Sequence, residues 1–474
     1  MPPPALPGSL KRPLRHTPET RRSYQLRTLL VLAGTFGALA AAVAWQSGRL
    51  KGSPGRLPAL PGQAAWFKGN LHTHSLWSDG DDFPEMIADW YKRHGYHFLA
   101  LSDHNVLSEG ERWLPITEKS TRPLALKKYR ERFGRSWVEG REGMGKREVR
   151  LKPLSEFRSL LEEPGKFLLV PAEEITHAYA KRPVHMNGIN LRDLVQPIDG
   201  PTASETISVN HRLVAEQAKK TRGRMLVVLN HPNFKWGLTA EDMIPAPELR
   251  FVEVFNGHPS VNNEGDENHP SCDQLWDIVL AQRLGRHGLG KVLGLATDDA
   301  HRYHKFGVGQ VNPGRGWVMV KAPYLSAEAV VRAMDAGDFY ASSGVTLDEV
   351  KVNHDELSLT IRPEPGVRYR TEFLATMKGA SLDSTPRVRK ETKPDEKEEK
   401  PKEKEERPAP LTRVYSADVG KVIAESSDLS PRYKLTGKEI YVRARVTSTK
   451  PHPNPYRKGD REMAWTQPAV PKAD

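Results

Sequence analysis

Imidazole and carboxylate side chains recur along this 474-residue chain at spacings that suit metal-ion chemistry. His72-Thr73-His74 ends an extended-type run. In a strand, residues i and i+2 point to one face, so these two rings can converge on one cation. Asp79 follows in a Ser-Asp-Gly turn. Further along come Asp103-His104, Glu173-Glu174, His185, His231, Asn256-Gly257-His258 and Asp299-Ala300-His301. Each alone is ordinary, since a lone His-x-His pair or Asp-His dipeptide is more often surface, core or cap than ligand. Together they put imidazole or carboxylate at five or more strand ends. Burying so many ionisable groups at one rim is costly unless metal or hydrogen bonds compensate. Imidazole and carboxylate without thiolate suit Zn, Mn or Fe and do not choose among them.

The elements that must position these groups are legible as alternating short apolar runs and amphipathic stretches from 66 to 343. Strands are expected at 66–72, 98–103, 167–174, 185–191, 225–231, 251–256, 292–299 and 317–320. Helices are expected at 84–94, 211–221, 272–284 and 326–336. The strands are continuously apolar rather than alternating, as in parallel strands buried on both faces. The alternation predicts an α/β domain with a parallel sheet or barrel, and such folds place their sites at the C-terminal rim of the strands. Strand-like pieces at 350–352, 357–361, 367–377, 415–422 and 440–446 predict a small all-β domain over 344–474. The last of them alternates apolar and polar residues, the pattern of a half-exposed strand. A Lys/Glu/Pro-rich stretch at 386–410 interrupts this domain and reads as a disordered insertion. Trp465 and Tyr456 fit either a binding surface or simple packing.

The ordered set of motifs resembles the polymerase and histidinol phosphatase (PHP) family over residues 66–343. The resemblance implies a distorted (β/α)7 TIM-like barrel, followed here by the small β domain, and two or three divalent metal ions. Carried over motif by motif, one metal would take His72, His74, Glu174 and Asp299. A second would take Glu174, His185 and His231, and a third Asp79, His104 and His301. The family's glutamate aligns with Glu174, with Glu173 as fallback, and the Asp-x-His spacing favours Asp299 over Asp298. Cations about 3.5–4 Å apart lower the pKa of a bridging water and neutralise phosphoryl oxygens. The implied activity is a metal-dependent phosphoesterase acting on a small anionic, phosphorylated substrate. Asp103 and His301 are candidates for proton handling near the leaving group, although Asp103 serves equally as an orienter of a ligating His. Asn256 and His258 reach the same rim and are candidate substrate contacts. His177, His269 and His304 read as plain polar residues. Alternatives are hydrolysis of a non-phosphate bond by the same metals, and a non-catalytic surface module.

Composition narrows the rest. With 38% hydrophobic and 27% charged residues, the chain is not wholly disordered, collagen-like or a polytopic membrane protein. A single cysteine, Cys272, excludes a disulfide framework and a Cys-rich zinc module. The net charge of +12 sits in two blocks. Residues 1–65 carry +8 around the apolar run 28–45, and residues 119–160 carry another +8, leaving −4 elsewhere. The first block reads as a signal peptide over 1–44, possessing a partial twin-arginine match at Arg21-Arg22, or as an anchor through 28–45; 45–65 is a linker. The working part is therefore expected outside the cytoplasm, periplasmic, secreted or membrane-anchored. The second block lies on an insertion, 105–165, that would emerge at the rim and attract anions. Aromatic interleaving is sparse there, so nucleic acid is not the expected partner.

Overall fold

The computed structural model describes residues 64–143, 145–390 and 409–472. The predicted leader and anchor, nearly all of the linker, and residues 391–408 of the charged insertion lie outside the described residues.

Strand β1 (Ala65–Asn70) leads to helix α1 (Pro84–Arg93), whose first turn holds Pro84, where a missing N–H costs nothing. Ile87, Ala88 and Tyr91 lie three and four residues apart and bury one face. The fully buried β2 (Phe98–Leu101) follows. The insertion then builds β3 (Arg112–Pro115), α2 (Arg122–Phe133), β4 (Gly140–Gly143), β5 (Lys146–Leu151) and α3 (Leu154–Leu161). Strand β5 pairs antiparallel with both β3 and β4.

Strand β6 (Leu168–Tyr179) turns back through Ala180 and Lys181 into β7 (Arg182–Ile189). Both turn residues have positive φ, as a tight primed hairpin turn requires. Helix α4 (Ala203–Thr221) starts at Thr202, whose side chain accepts from the Glu205 N–H, well before the predicted start at 211. Its first half is rich in Ser, Thr and Asn, poor helix formers that masked it in the sequence. Next come β8 (Leu226–Leu229), the one-turn α5 (Ala240–Met243), β9 (Phe251–Asn256), α6 (Cys272–Gly285) and β10 (Leu293–Thr297). Strand β11 (Trp317–Ala322), α7 (Ala327–Ala336) and β12 (Phe339–Ser342) complete this part.

The C-terminal part holds β13 (Leu347–Val352), β14 (Glu356–Ile361), β15 (Tyr369–Met377), β16 (Ser384–Thr385) and β17 (Val414–Tyr415). It continues with β18 (Lys421–Ser426), β19 (Arg432–Lys434), β20 (Glu439–Pro451) and β21 (Arg461–Trp465). A turn thus splits the predicted strand 415–422 in two.

One mixed 13-stranded sheet runs β10-β9-β8-β7-β6-β2-β1-β11-β12-β21-β20-β15-β18. Pairs β1–β2, β2–β6, β8–β9 and β9–β10 are parallel. Pairs β6–β7, β7–β8, β1–β11 and β11–β12 are antiparallel. The hairpin at Ala180-Lys181 puts β7 in without a crossover helix, which corrects the expected all-parallel pattern. Among the described residues the ladder ends at β10 and β18, so no closed TIM-like barrel forms; the architecture is α/β with a large mixed sheet. Strand β12 pairs with β21, Ala341 opposite Trp465, so β21, β20, β15 and β18 extend the same sheet, while β13, β14 and β19 form a small sheet of their own, as do β16 and β17. The described residues belong to one compact unit.

One expectation about β20 fails. Its polar face was to be half-exposed, yet Tyr441 and Arg443 are fully buried. Helix α6 covers that face and supplies the counter-charges. The Arg443 guanidinium donates to Asp277 from Nε at 2.7 Å and reaches Asp273 at 3.0 Å, and the Tyr441 hydroxyl donates to Asp277.

Candidate metal centre

The residues after β1, β2, β8 and β10, with the middle of β6 and β7, meet at one end of the sheet. Parallel bridges Thr73–Ala300 and His104–Glu174 knit these ends together. All nine residues predicted as ligands come together there, around two buried carboxylates. Glu174 Oε1 faces His185 Nδ1 at 3.1 Å, His231 Nε2 at 3.3 Å and His72 Nε2 at 3.4 Å. Its Oε2 faces His104 Nδ1 at 2.7 Å and His74 Nε2 at 3.5 Å. Asp299 Oδ1 lies 3.1 Å from His74 Nε2, 3.3 Å from His72 Nε2 and 3.6 Å from His301 Nδ1. Asp79, half-exposed at the rim, lies 3.3 Å from His301 Nε2 and 3.7 Å from both His74 Nδ1 and His104 Nε2.

Among the described residues three sets offer ligand atoms close enough to share an ion: His72, Glu174 and His231; His72, His74 and Asp299; and His74, Asp79, His104 and His301. His74 thus also joins the third group of the family-derived assignment. The donor set fits cations on one further observation: buried His72 Nε2, both ring nitrogens of His74, and His185 Nδ1 have no hydrogen-bond partner. Such atoms are costly to bury unless something coordinates them. Burial works to raise the Glu174 and Asp299 carboxyls, but the imidazoles, His72 foremost, hold both well below the usual range. Burial and the neighbouring His301 pull His74 down to about 3, leaving its ring neutral, as a ligand must be. Burial also opposes charge on His104, yet Glu174 and Asp79 lift it to about 9. A cation bound there displaces that proton.

Second-layer contacts separate the ambiguous pairs. Glu173 points to the other face of β6, where it accepts from Val195 N–H at 2.9 Å; Glu174 alone faces the histidines. Asp298 accepts from the N–H groups of Gly314, Arg315 and Gly316 and from Tyr91 Oη, so it ties a loop and leaves the rim to Asp299. Asp103 is not brought into the cluster. Both its oxygens are taken by Ser75 N–H, Ser75 Oγ and Ser78 Oγ at 2.6–2.7 Å, which fixes the turn carrying Asp79. Of its two predicted roles, the geometry gives it the positioning one. Asn256 is fully buried and donates to Glu253 and, at 3.2 Å, to Asp299; it supports the centre from below rather than facing a substrate. His258 does sit at the rim, its ring centroid 5.7 Å from that of His301 and 5.9 Å from that of Phe234.

Sequence reasoning missed Glu253. It is buried in the middle of β9 and accepts from His231 N–H at 2.8 Å and Thr297 Oγ1 at 2.7 Å, while meeting His72 Nδ1 at 2.7 Å. The signal was present: one charged residue inside the apolar run Phe251-Val252-Glu253-Val254-Phe255. Backbone strain marks the same place. His231, Asp299 and Asn105 all have positive φ, uncommon for residues with side chains and concentrated at functional sites.

His177, His269 and His304 stay outside the cluster, bound to Asp199, Asp266 and the Asp81 carbonyl. The insertion packs its own core of Leu114, Leu126, Tyr129, Val149 and Leu151 against Leu76, Trp77 and Phe83. It therefore buttresses the loop that carries Asp79. Arg315, buried among the strands, donates to the carbonyls of Gly257, Gly307, Gln310, Asn454 and Pro455. It joins the C-terminal segment to the turn beside His258. Tyr456 and Trp465 pack on Phe255, and the Tyr456 hydroxyl meets Glu264, so both are packing residues.

No family model and no curated protein matches the sequence. Among solved structures, one similar chain is a two-domain protein from Bacteroides vulgatus containing a predicted PHP-like metal-dependent phosphoesterase. It is 16% identical at a TM-score of 0.34, over 69% of this chain and 87% of that one. Another, from Bifidobacterium adolescentis, is provisionally described as a metal-dependent phosphoesterase. It is 13% identical at a TM-score of 0.27, over 49% of this chain and 87% of that one.

Proposed function

We propose that the chain is a metal-dependent phosphoesterase of the PHP type, acting on a small phosphorylated substrate. The observation that carries this reading is the convergence of nine imidazole and carboxylate side chains, with Glu174 and Asp299 at their centre and buried ring nitrogens left unpartnered. In this reading two or three Zn, Mn or Fe ions are held by the three overlapping groups, with His185 beside Glu174 completing the first. Bound there, they would lower the pKa of a water and neutralise phosphoryl charge.

The remaining work falls to the chain. Glu253 fixes His72 and the His231 backbone, and Asn256 fixes Asp299. His258 takes the Ser260 N–H on its Nδ1 at 3.0 Å, so its own proton sits on Nε2, which donates to a substrate oxygen. His301, between Asp79 and Asp299, is the better placed of the two proton-handling candidates, since Asp103 is turned to Ser75 and Ser78. In this reading strands β1, β2 and β6 to β11 stand for the distorted barrel of that family, in open form. Export belongs to the same proposal, supported by the basic start and the apolar run 28–45, with the hydrolase outside the cytoplasm and either released or anchored there.

Metal analysis of the full chain, with p-nitrophenyl phosphate and bis(p-nitrophenyl) phosphate as substrates, tests the activity. The expected result is two or three bound ions and hydrolysis of at least one ester. Both are lost in His74→Ala and Asp299→Ala. Undiminished turnover in either variant overturns the site. Bound metal without ester hydrolysis moves the reading to another bond, and absence of metal moves it to a surface module. Protease protection in intact cells tests the location.

A further inference from the structure

The insertion carries a second feature, separate from the histidine cluster. Five of its cations are held by carboxylates. Arg132 holds Asp89, Arg141 holds Glu148, Arg158 holds Glu162, and Arg150 and Lys152 share Glu139 and Glu156. Four others are not. Lys127 and Arg130 from α2, Arg135 just beyond it and Arg147 from β5 line one open depression of about 590 Å³. Among the described residues no carboxylate forms an ion pair with any of them, although Glu118 and Glu131 share the wall and Glu142 lies across the strand from Arg147.

Helical geometry explains the segregation. Lys127 and Arg130 are three residues apart and share a face. Ala125 and Tyr129 fall on the other side and are buried, and Arg132 reaches Asp89. The cations are therefore gathered on the outer face by the pattern of the sequence. They are close enough to disfavour one another: burial first, then Arg147 and Arg135, draw Arg130 below its ordinary value. A fold that neutralises Arg132, Arg141, Arg150 and Arg158 leaves these four without a counter-charge.

We propose that Lys127, Arg130, Arg135 and Arg147 form a second anion site, built for a phosphate-bearing ligand. Guanidinium groups offer paired N–H donors that match phosphate oxygens, and three of them around one depression suit a multiply charged group. The phosphate is either free in solution or the headgroup of an anionic lipid, and the shared chemistry is the same.

The test compares the full chain with Arg130→Gln/Arg135→Gln/Arg147→Gln at low salt. These side chains make no internal ion pairs, so without ligand the variant should melt at or above the wild-type temperature. With inorganic phosphate or pyrophosphate, the wild type should gain a few degrees more than the variant, because ligand binding to the native state raises Tm. Any phosphate bound at the histidine cluster adds equally to both and cancels. Hydrolysis of p-nitrophenyl phosphate should be the same in both. Co-sedimentation with phosphatidylglycerol against phosphatidylcholine vesicles separates the sources; stronger retention of the wild type on the anionic vesicles assigns the site to a lipid surface. Equal gains and equal retention for wild type and variant overturn the proposal. So does Arg147→Gln alone binding pyrophosphate as tightly as the wild type.

Discussion

A neutral imidazole offers one lone pair, and its second nitrogen decides which. At His72 that second nitrogen, Nδ1, lies 2.7 Å from Glu253, so Nε2 is turned to Glu174 and Asp299. The other Glu253 oxygen accepts from two donors, His231 N–H and Asn256 Nδ2. Glu253→Gln would place an NH₂ group against donors on one side or the other. We expect metal affinity to fall about 10- to 100-fold with the fold intact, measured by competition with a chelating dye. Unchanged affinity would remove Glu253 from the centre. The clustered histidines were legible because type and strand-end position coincide. Glu253 was not, because it sits inside a strand, where patterning argues for packing. Asp103 was legible as important but not in role, since its use depends on which way the turn at Ser75 and Ser78 folds.

At the scale of elements, the insertion and α1 are joined through a buried carboxyl. Glu85 Oε1 accepts from Tyr129 Oη at 2.5 Å and from Trp137 Nε1 at 3.3 Å, and burial lifts the carboxyl to about 7 from 4.5. A carboxyl raised on folding binds its proton more tightly in the native state. Its contribution is thus full below about 4.5 and is lost as pH rises through 7, at most roughly 3 kcal/mol at 1.36 kcal/mol per pH unit. Urea denaturation from pH 5 to pH 8 should show that loss, and Glu85→Gln should flatten it. An equally steep loss in the variant would assign it elsewhere. The strands around the centre were nearly all legible, β9 to the residue. The β6–β7 hairpin was not, because Ala180 and Lys181 carry no turn chemistry and adopt left-handed φ only under the pull of the flanking strands.

At the scale of the molecule, the sheet passes from the histidine centre into the C-terminal strands, and buried charges brace the passage. Arg443 is fully buried between Asp273 and Asp277. Removing one partner leaves a charge without compensation, so Asp277→Ala should cost about 3–5 kcal/mol in urea denaturation. A loss below 1 kcal/mol would make this brace dispensable. Strand β20 looked half-exposed because the sequence cannot say that α6 will lie over it with two aspartates; from Asp277 to Arg443 that contact spans 166 residues. Arg315 extends the same logic to the rim, holding Asn454 and Pro455 against Gly257. Arg315→Lys, too short and with too few donors for five carbonyls, should raise KM severalfold with little change in kcat, read from steady-state kinetics; an unchanged KM would detach the C-terminal loop from substrate binding. This feature also bears on timing. On the ribosome, every one of the nine histidine-cluster residues emerges before Asn454 does. The nascent chain therefore owns the whole histidine cluster while still lacking the clasp beside His258, and a finished rim arrives as one late event instead of growing with length.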